Sequence, residues 1–229
     1  MRIEKQKQSL PVPNYDIVTA ENTISKHGDL FPGGSKRGLL VGASGCGKTN
    51  VMIFLIEHPN GLRFQNLYLC SNSLQQSKYS YLRHMLKEVP EIGYFEFNDV
   101  ENVPSPNNIL KNSIIIFDDV ACCKQDIIRN YFSFGRHNNT DTFYLCQTYS
   151  SIPKQLIRDN ANLLIIFKQD HTNLKHIYDD HVNVDMSFSL FKNICSYCWR
   201  ENFGLIVLDK DSPLNSGRYR KGFDSYIHI

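Results

Sequence analysis

The sequence has no long apolar run. No uninterrupted stretch approaches the ~18 residues that a membrane span needs. Its first residues, MRIEKQKQSLPVP, are polar and then proline-containing, without the apolar segment of a secretory signal. Neither sign of charge dominates: 25 Lys and Arg face 23 Asp and Glu, a formal net charge of +2. No global field therefore announces a nucleic-acid partner, and any such contact must be local. The seven cysteines, at 46, 70, 122, 123, 146, 195 and 198, are odd in number and suit a reducing compartment. There is no internal repeat and no low-complexity tract. These absences predict a soluble, intracellular chain that is not secreted and has no membrane partner.

What is present is an alternation. Short apolar runs read as strands at Gly38–Val41, Asn66–Cys70, Ser113–Phe117, Thr142–Cys146 and Leu163–Phe167. Between them lie helical stretches at Lys48–Glu57, Lys78–Lys87 and Gln125–Ser133, and Pro153–Arg158 reads as the start of a short helix. Strands spaced by helices imply parallel crossovers and a sheet covered on both faces. With 229 residues, the chain is long enough to bury a full core without disulfides. The pattern changes after ~180, where Met186–Cys195 reads as a helix and Leu205–Leu208 as a strand. The division is a lead-in over 1–34, a core over 35–185 and a C-terminal extension with a basic tail over 186–229.

The stretch GASGCGKT, Gly42 to Thr49, matches G-x-x-x-x-G-K-[ST] in its required setting of strand, loop and helix. Here the backbone N–H groups of Gly42, Ala43, Ser44, Gly45, Cys46, Gly47, Lys48, Thr49 and the following Asn50 can cradle phosphates at a helix N-terminus. Lys48 is placed to reach the β- and γ-phosphates, and Thr49 to ligate Mg²⁺. Cys46 needs no role beyond that of a small loop residue. The loop alone does not separate kinases, GTPases and motor ATPases.

The segment IIIFDDV makes the choice. Asp118 ends an apolar strand, as an acid that binds Mg²⁺ should. Asp119 beside it can orient and deprotonate water, or else cap the next turn. Gln147 ends the next strand, so parallel topology brings it to the same edge, as a sensor or as a plain turn amide. The FKQD sequence after Leu163–Ile166 lacks the Asn of a guanine reader, and Lys168 and Asp170 read as a solvated loop. Arg136 and Arg158 are candidates for an arginine supplied to a neighbouring subunit, or are ordinary surface residues.

Taken together, GASGCGKTN, NLYLCSNSLQQSKY, IIIFDDVACCKQ, FSFGRHNN, FYLCQTYSSIPKQLIRDNANLLIIFKQD, HIYDDHVNVDM and GRYRKGFD resemble the genome-packaging ATPases of Polinton/Maverick and adintovirus-like elements. Those are similar to the poxvirus-type packaging ATPases of the FtsK–HerA superfamily. The resemblance runs from about residue 27 to the C-terminus. It implies an α/β P-loop NTPase with a RecA-like (ASCE), mostly parallel sheet. It also implies an ATP-driven, Mg²⁺-dependent motor that moves double-stranded DNA into a capsid, as a homo-oligomeric ring with capsid proteins as candidate partners. Its site would be the nucleus or cytoplasm of a host, where virions assemble. On this resemblance Lys48 and Thr49 bind phosphate and Mg²⁺, Asp118 holds Mg²⁺, Asp119 activates water and Gln147 is the sensor. Arg136 or Arg158 acts in trans. Much of the superfamily has Glu at the second acid, so Asp119 is a departure.

Two rivals make different demands. A nucleotide or small-molecule kinase predicts an Arg-rich lid and phosphate transfer to an acceptor. A nucleotide-gated DNA-binding assembly protein needs Lys48 but not Asp119. Weaker signals are Cys195-x-x-Cys198 as half a zinc site, SNSLQQSKY as a nucleotide or DNA contact, and Arg218, Tyr219, Arg220 and Lys221 as a DNA-phosphate contact or a solvated tail.

Overall fold

The computed structural model describes residues 26–28 and 30–229, so most of the lead-in expected over 1–34 lies outside the described residues. The strands are β1 (Arg37–Val41), β2 (Asn66–Ser71), β3 (Gly93–Phe97), β4 (Ser113–Asp118), β5 (Asp141–Cys146), β6 (Leu163–Phe167), β7 (Leu205–Asp209), β8 (Tyr219–Lys221) and β9 (Ser225–Tyr226). The helices are α1 (Lys48–Glu57), α2 (Ser77–Lys87), α3 (Asp126–Phe134), α4 (His171–His181) and α5 (Phe188–Cys198).

All nine strands join one sheet in the order β3-β2-β4-β5-β1-β6-β7-β8-β9. The first six are parallel, and β7, β8 and β9 continue it antiparallel. β4 shows why the apolar runs become strands. Ile114 to Phe117 are all at least 98% buried, and each side chain removed from water contributes about 1.5–3 kcal/mol. Alternate residues feed opposite faces: Leu39 and Val41 pack with α3, α4 and α5, whereas Leu40 packs with α1 and α2. This is the mostly parallel, doubly covered sheet that the sequence predicts.

Two local expectations need correction. Pro153–Arg158 is no regular helix: Gln155 is extended and Leu156 is left-handed at φ 67°. Lys168 and Asp170 do lie in an exposed loop, as expected, and Asp170 also caps α4 by accepting from the Asn173 N–H at 2.9 Å. The tail cluster is largely not free for DNA or solvent, Lys221 being the part-exposed member, paired with Glu201. Arg220 is 1% exposed and bonded to Asp209, Gly217 and Leu30, and Arg218 pairs with Asp185 at 3.1 Å. Among the described residues no helix is long and apolar enough to cross a membrane.

Candidate nucleotide-binding site

β5 lies between β1 and β4. Gly42 follows β1, Asp118 ends β4 and Gln147 follows β5, so parallel topology gathers the three at one edge of the sheet. At that edge is a cavity of about 370 Å³ whose walls include Gly47, Lys48, Thr49, Asp118, Asp119 and Gln147. Ser44 and Gly45 also line it.

The loop conformation depends on its glycines. Gly47 has φ 109°, a left-handed value that admits few other residues. At Gly42 a Cβ would lie 2.6 Å from Cys46 Sγ and 2.7 Å from Phe167 Cβ. Cys46 therefore fills space beside the loop. Lys48 Nζ donates to the Gly42 carbonyl at 2.6 Å and to the Ala43 carbonyl at 3.0 Å. It bridges the carbonyls of its own loop, and a phosphate would have to compete for it.

Asp118 is 8% exposed. Burial raises the pKa of its carboxyl above the usual range, opposed by a hydrogen bond from Tyr79 and by the nearby Lys48 charge. Tyr79, from α2, donates its hydroxyl to Asp118 Oδ2, with the Thr49 and Ser71 hydroxyls within hydrogen-bonding reach. Burial and the facing Asp118 charge push the Tyr79 phenol up, so it stays a donor. The Thr49 hydroxyl and the Asp118 carboxylate, together on one side of the cavity, are the hard oxygen donors that suit Mg²⁺.

Asp119 has φ 57°, a left-handed state that Asp tolerates better than most residues but that still costs about 1–2 kcal/mol. The segment after β2 holds it there. Asn72 Nδ2 donates to the Asp119 carbonyl at 2.9 Å, and Ser73 Oγ donates to Asp119 Oδ2 at 3.1 Å. The kink turns the short carboxylate toward the cavity that it lines. Asn72, Ser73 and Tyr79 carry no individual motif in the sequence, but they belong to SNSLQQSKY, the stretch expected to contact a nucleotide or DNA. Its Gln76 and Lys78 also line the cavity.

Neither candidate arginine is in the cavity. Arg136 is exposed on the turn before β5, at the opposite edge of the sheet. Arg158 pairs with Asp180 at 3.0 Å and lies 4.9 Å over the Tyr149 ring. Cys195 and Cys198 lie on the buried face of α5, in the core. Burial raises both thiols, Cys198 to about 11, and no third metal ligand is grouped with them among the described residues.

A family model described as "Poxvirus A32 protein" matches residues 35–202. No curated protein matches the sequence. Structures of the genome packaging NTPase B204 from Sulfolobus turreted icosahedral virus 2, with AMP and with ATP-γS, are each similar at TM-score 0.53 and 13% identity. The matches cover 77% of this chain and 94% and 93% of B204, respectively. The crystal structure of B204, the DNA-packaging ATPase from Sulfolobus turreted icosahedral virus, matches at TM-score 0.52 and 16% identity over 76% of this chain and 92% of that one. The chain therefore has the fold of these P-loop packaging NTPases.

Proposed function

The chain belongs to the poxvirus A32 protein family, and on that premise we propose that it is an ATP-hydrolysing motor that drives double-stranded DNA into a viral or virus-like capsid. The observation that carries this reading is the meeting of Lys48, Thr49, Asp118, Asp119 and Gln147 around one cavity. The B204 structures with AMP and ATP-γS support nucleotide binding by this fold.

Each residue has a role in this account. The loop N–H groups and Lys48 bind the phosphates, with the Lys48 ammonium leaving the Gly42 and Ala43 carbonyls for the γ-phosphate. Thr49 and Asp118 would hold Mg²⁺, which neutralises charge on the phosphate oxygens. Asp119 accepts a proton from the attacking water and Ser73 fixes its free oxygen. Gln147 orients that water or reports the γ-phosphate. The arginine for the developing charge comes from a neighbouring copy in a ring. Arg136 suits that role better than Arg158, because it is exposed whereas Arg158 is held by Asp180 and Tyr149.

Steady-state phosphate release from ATP and Mg²⁺, with and without linear double-stranded DNA, tests the proposal. Hydrolysis that DNA stimulates is expected. Its absence under conditions where native mass measurement shows a ring would overturn the motor reading.

A further inference from the structure

The cavity that holds the acids accounts for only one end of a nucleotide. Asp118 and Gln147 stand at the ends of β4 and β5, on one side of β1. A nucleoside triphosphate whose γ-phosphate faces them must send its base across the loop, toward β6 and β7 on the other side. The turn between α5 and β7 lies there.

That turn is built to hold out a ring. Trp199 Nε1 donates to the Ile166 carbonyl at 3.1 Å, tying the end of α5 to β6. Gly204 N donates to Glu201 O at 3.1 Å, and a Cβ at Gly204 would lie 2.2 Å from the Cys198 carbonyl oxygen. The backbone on both sides of Phe203 is thus held against α5. Phe203 itself has φ 62°, a strained value for a bulky residue. Its side chain is 71% exposed. It also stands against the phosphate loop: a Cβ at Gly47 would lie 3.8 Å from Phe203 Cδ1 and 3.6 Å from Phe167 Cε1. A phenylalanine held in a strained turn and left in water, next to a phosphate loop, gains nothing from its own fold. It gains when a flat apolar surface covers it.

Resting on the nucleotide-binding reading, we infer that Phe203 is the stacking platform for the nucleotide base, favouring purines for their larger face. Stacking on an aromatic ring tolerates either purine, so the platform selects ring size rather than adenine over guanine. Because the ring touches no reacting atom, its removal raises KM and leaves kcat unchanged.

The test is calorimetric binding of Mg-ATP-γS and of Mg-tripolyphosphate to the full chain and to Phe203→Ala and Phe203→Tyr. Phe203→Ala should weaken ATP-γS about 10–100-fold, leave tripolyphosphate within about twofold, and be rescued by Phe203→Tyr. Equal ATP-γS affinities in wild type and Phe203→Ala would overturn the inference. So would an equal loss of tripolyphosphate affinity, which would mean that the ring only braces the loop. If wild type binds ATP-γS no tighter than tripolyphosphate, the base has no platform, although the phosphate site stands. If wild type binds neither ligand, the nucleotide reading falls and the platform with it.

Discussion

At the edge where β1, β4 and β5 end, charged side chains face an open cavity. At the edge where β1 and β5 begin, they are sealed in. There Asp141, 0% exposed, is bonded to the Lys36 N–H at 2.7 Å and to His27 at 3.0 Å, with Lys26 Nζ at 2.8 Å. Lys36 Nζ reaches Asp209 at 3.2 Å and Asp211 at 2.8 Å, and Arg220 closes on the other Asp209 oxygen at 3.2 Å. Each charge is matched by an opposite one, the condition under which buried ions are tolerated, although Asp141 Oδ2 meets Lys26 as an ion pair without a hydrogen bond. At the cavity edge the same residue types are held by provisional partners: Lys48 by its own loop, Asp118 by Tyr79, Asp119 by Ser73. On the proposed function, the contrast separates charges matched within the fold, whose loss would unfold it, from charges whose partners a ligand would displace.

Mutation should separate the two edges. The largest effect is expected for Asp119→Asn, which should lower kcat for ATP hydrolysis by about 10²–10⁴-fold. It should leave ATP-γS affinity and melting temperature near wild type. At the opposite edge, Asp209→Ala leaves Lys36 and Arg220 short of a counter-charge. It should cost about 3–5 kcal/mol in denaturant unfolding, with activity per folded molecule retained.

A third prediction concerns the buried network behind Gln147, on the face covered by α4. Tyr149 Oη meets Asp180 at 2.9 Å and His181 Nε2 at 2.8 Å, and His181 Nδ1 is buried with no partner among the described residues. Burial lowers the His181 pKa to about 4, with the Lys210 charge adding to the effect. The unfolded chain, with its histidine near 6.5, therefore binds more protons between pH 6.5 and pH 4. Stability is full above that window and falls by about 3 kcal/mol as pH drops through it. His181→Asn should flatten this part of the unfolding curve.

The smallest effect tests the cavity edge again. Tyr79→Phe removes the hydroxyl that holds Asp118, so the ligand-free protein should lose about 1 kcal/mol, or about 2–4 °C in Tm. Mg-ATP-γS should recover that loss and widen the gap between free and bound Tm. An unchanged gap would mean that Tyr79 serves the core rather than the site.

The legible parts of the sequence were those whose signal is local. GLLV, IIIF and LLIIF are continuous apolar runs, and the phosphate loop carries its glycines at fixed spacing. β3 escaped because GYFEF sits at the sheet edge, only half-buried, with Glu96 turned to Arg83 at 2.8 Å. α4 escaped because HTNLKHIYDDH is mostly polar; only Asn173, Leu174 and Ile177 are buried along it. Its start depends on the Asp170 cap rather than on propensity. Arg220 reads as a DNA contact in sequence because its burial depends on tertiary pairing, with Asp209 on the adjacent strand and with Leu30, 190 residues away. Tyr79 carries no motif, and it reaches Asp118 only because α2 packs over the end of β4. Asp119 was visible as a second acid, but its left-handed backbone and its Asn72 and Ser73 contacts were not.

The most direct test of the central claim is release of labelled phosphate from Mg-ATP by the wild-type chain and by Asp119→Asn, each with linear double-stranded DNA, beside ATP-γS affinity measured on the same samples. The account predicts DNA-stimulated release of free phosphate by wild type and a loss of about 10²–10⁴-fold in the variant at unchanged affinity. Equal rates in the two proteins, or label carried to an acceptor rather than to free phosphate, would contradict it.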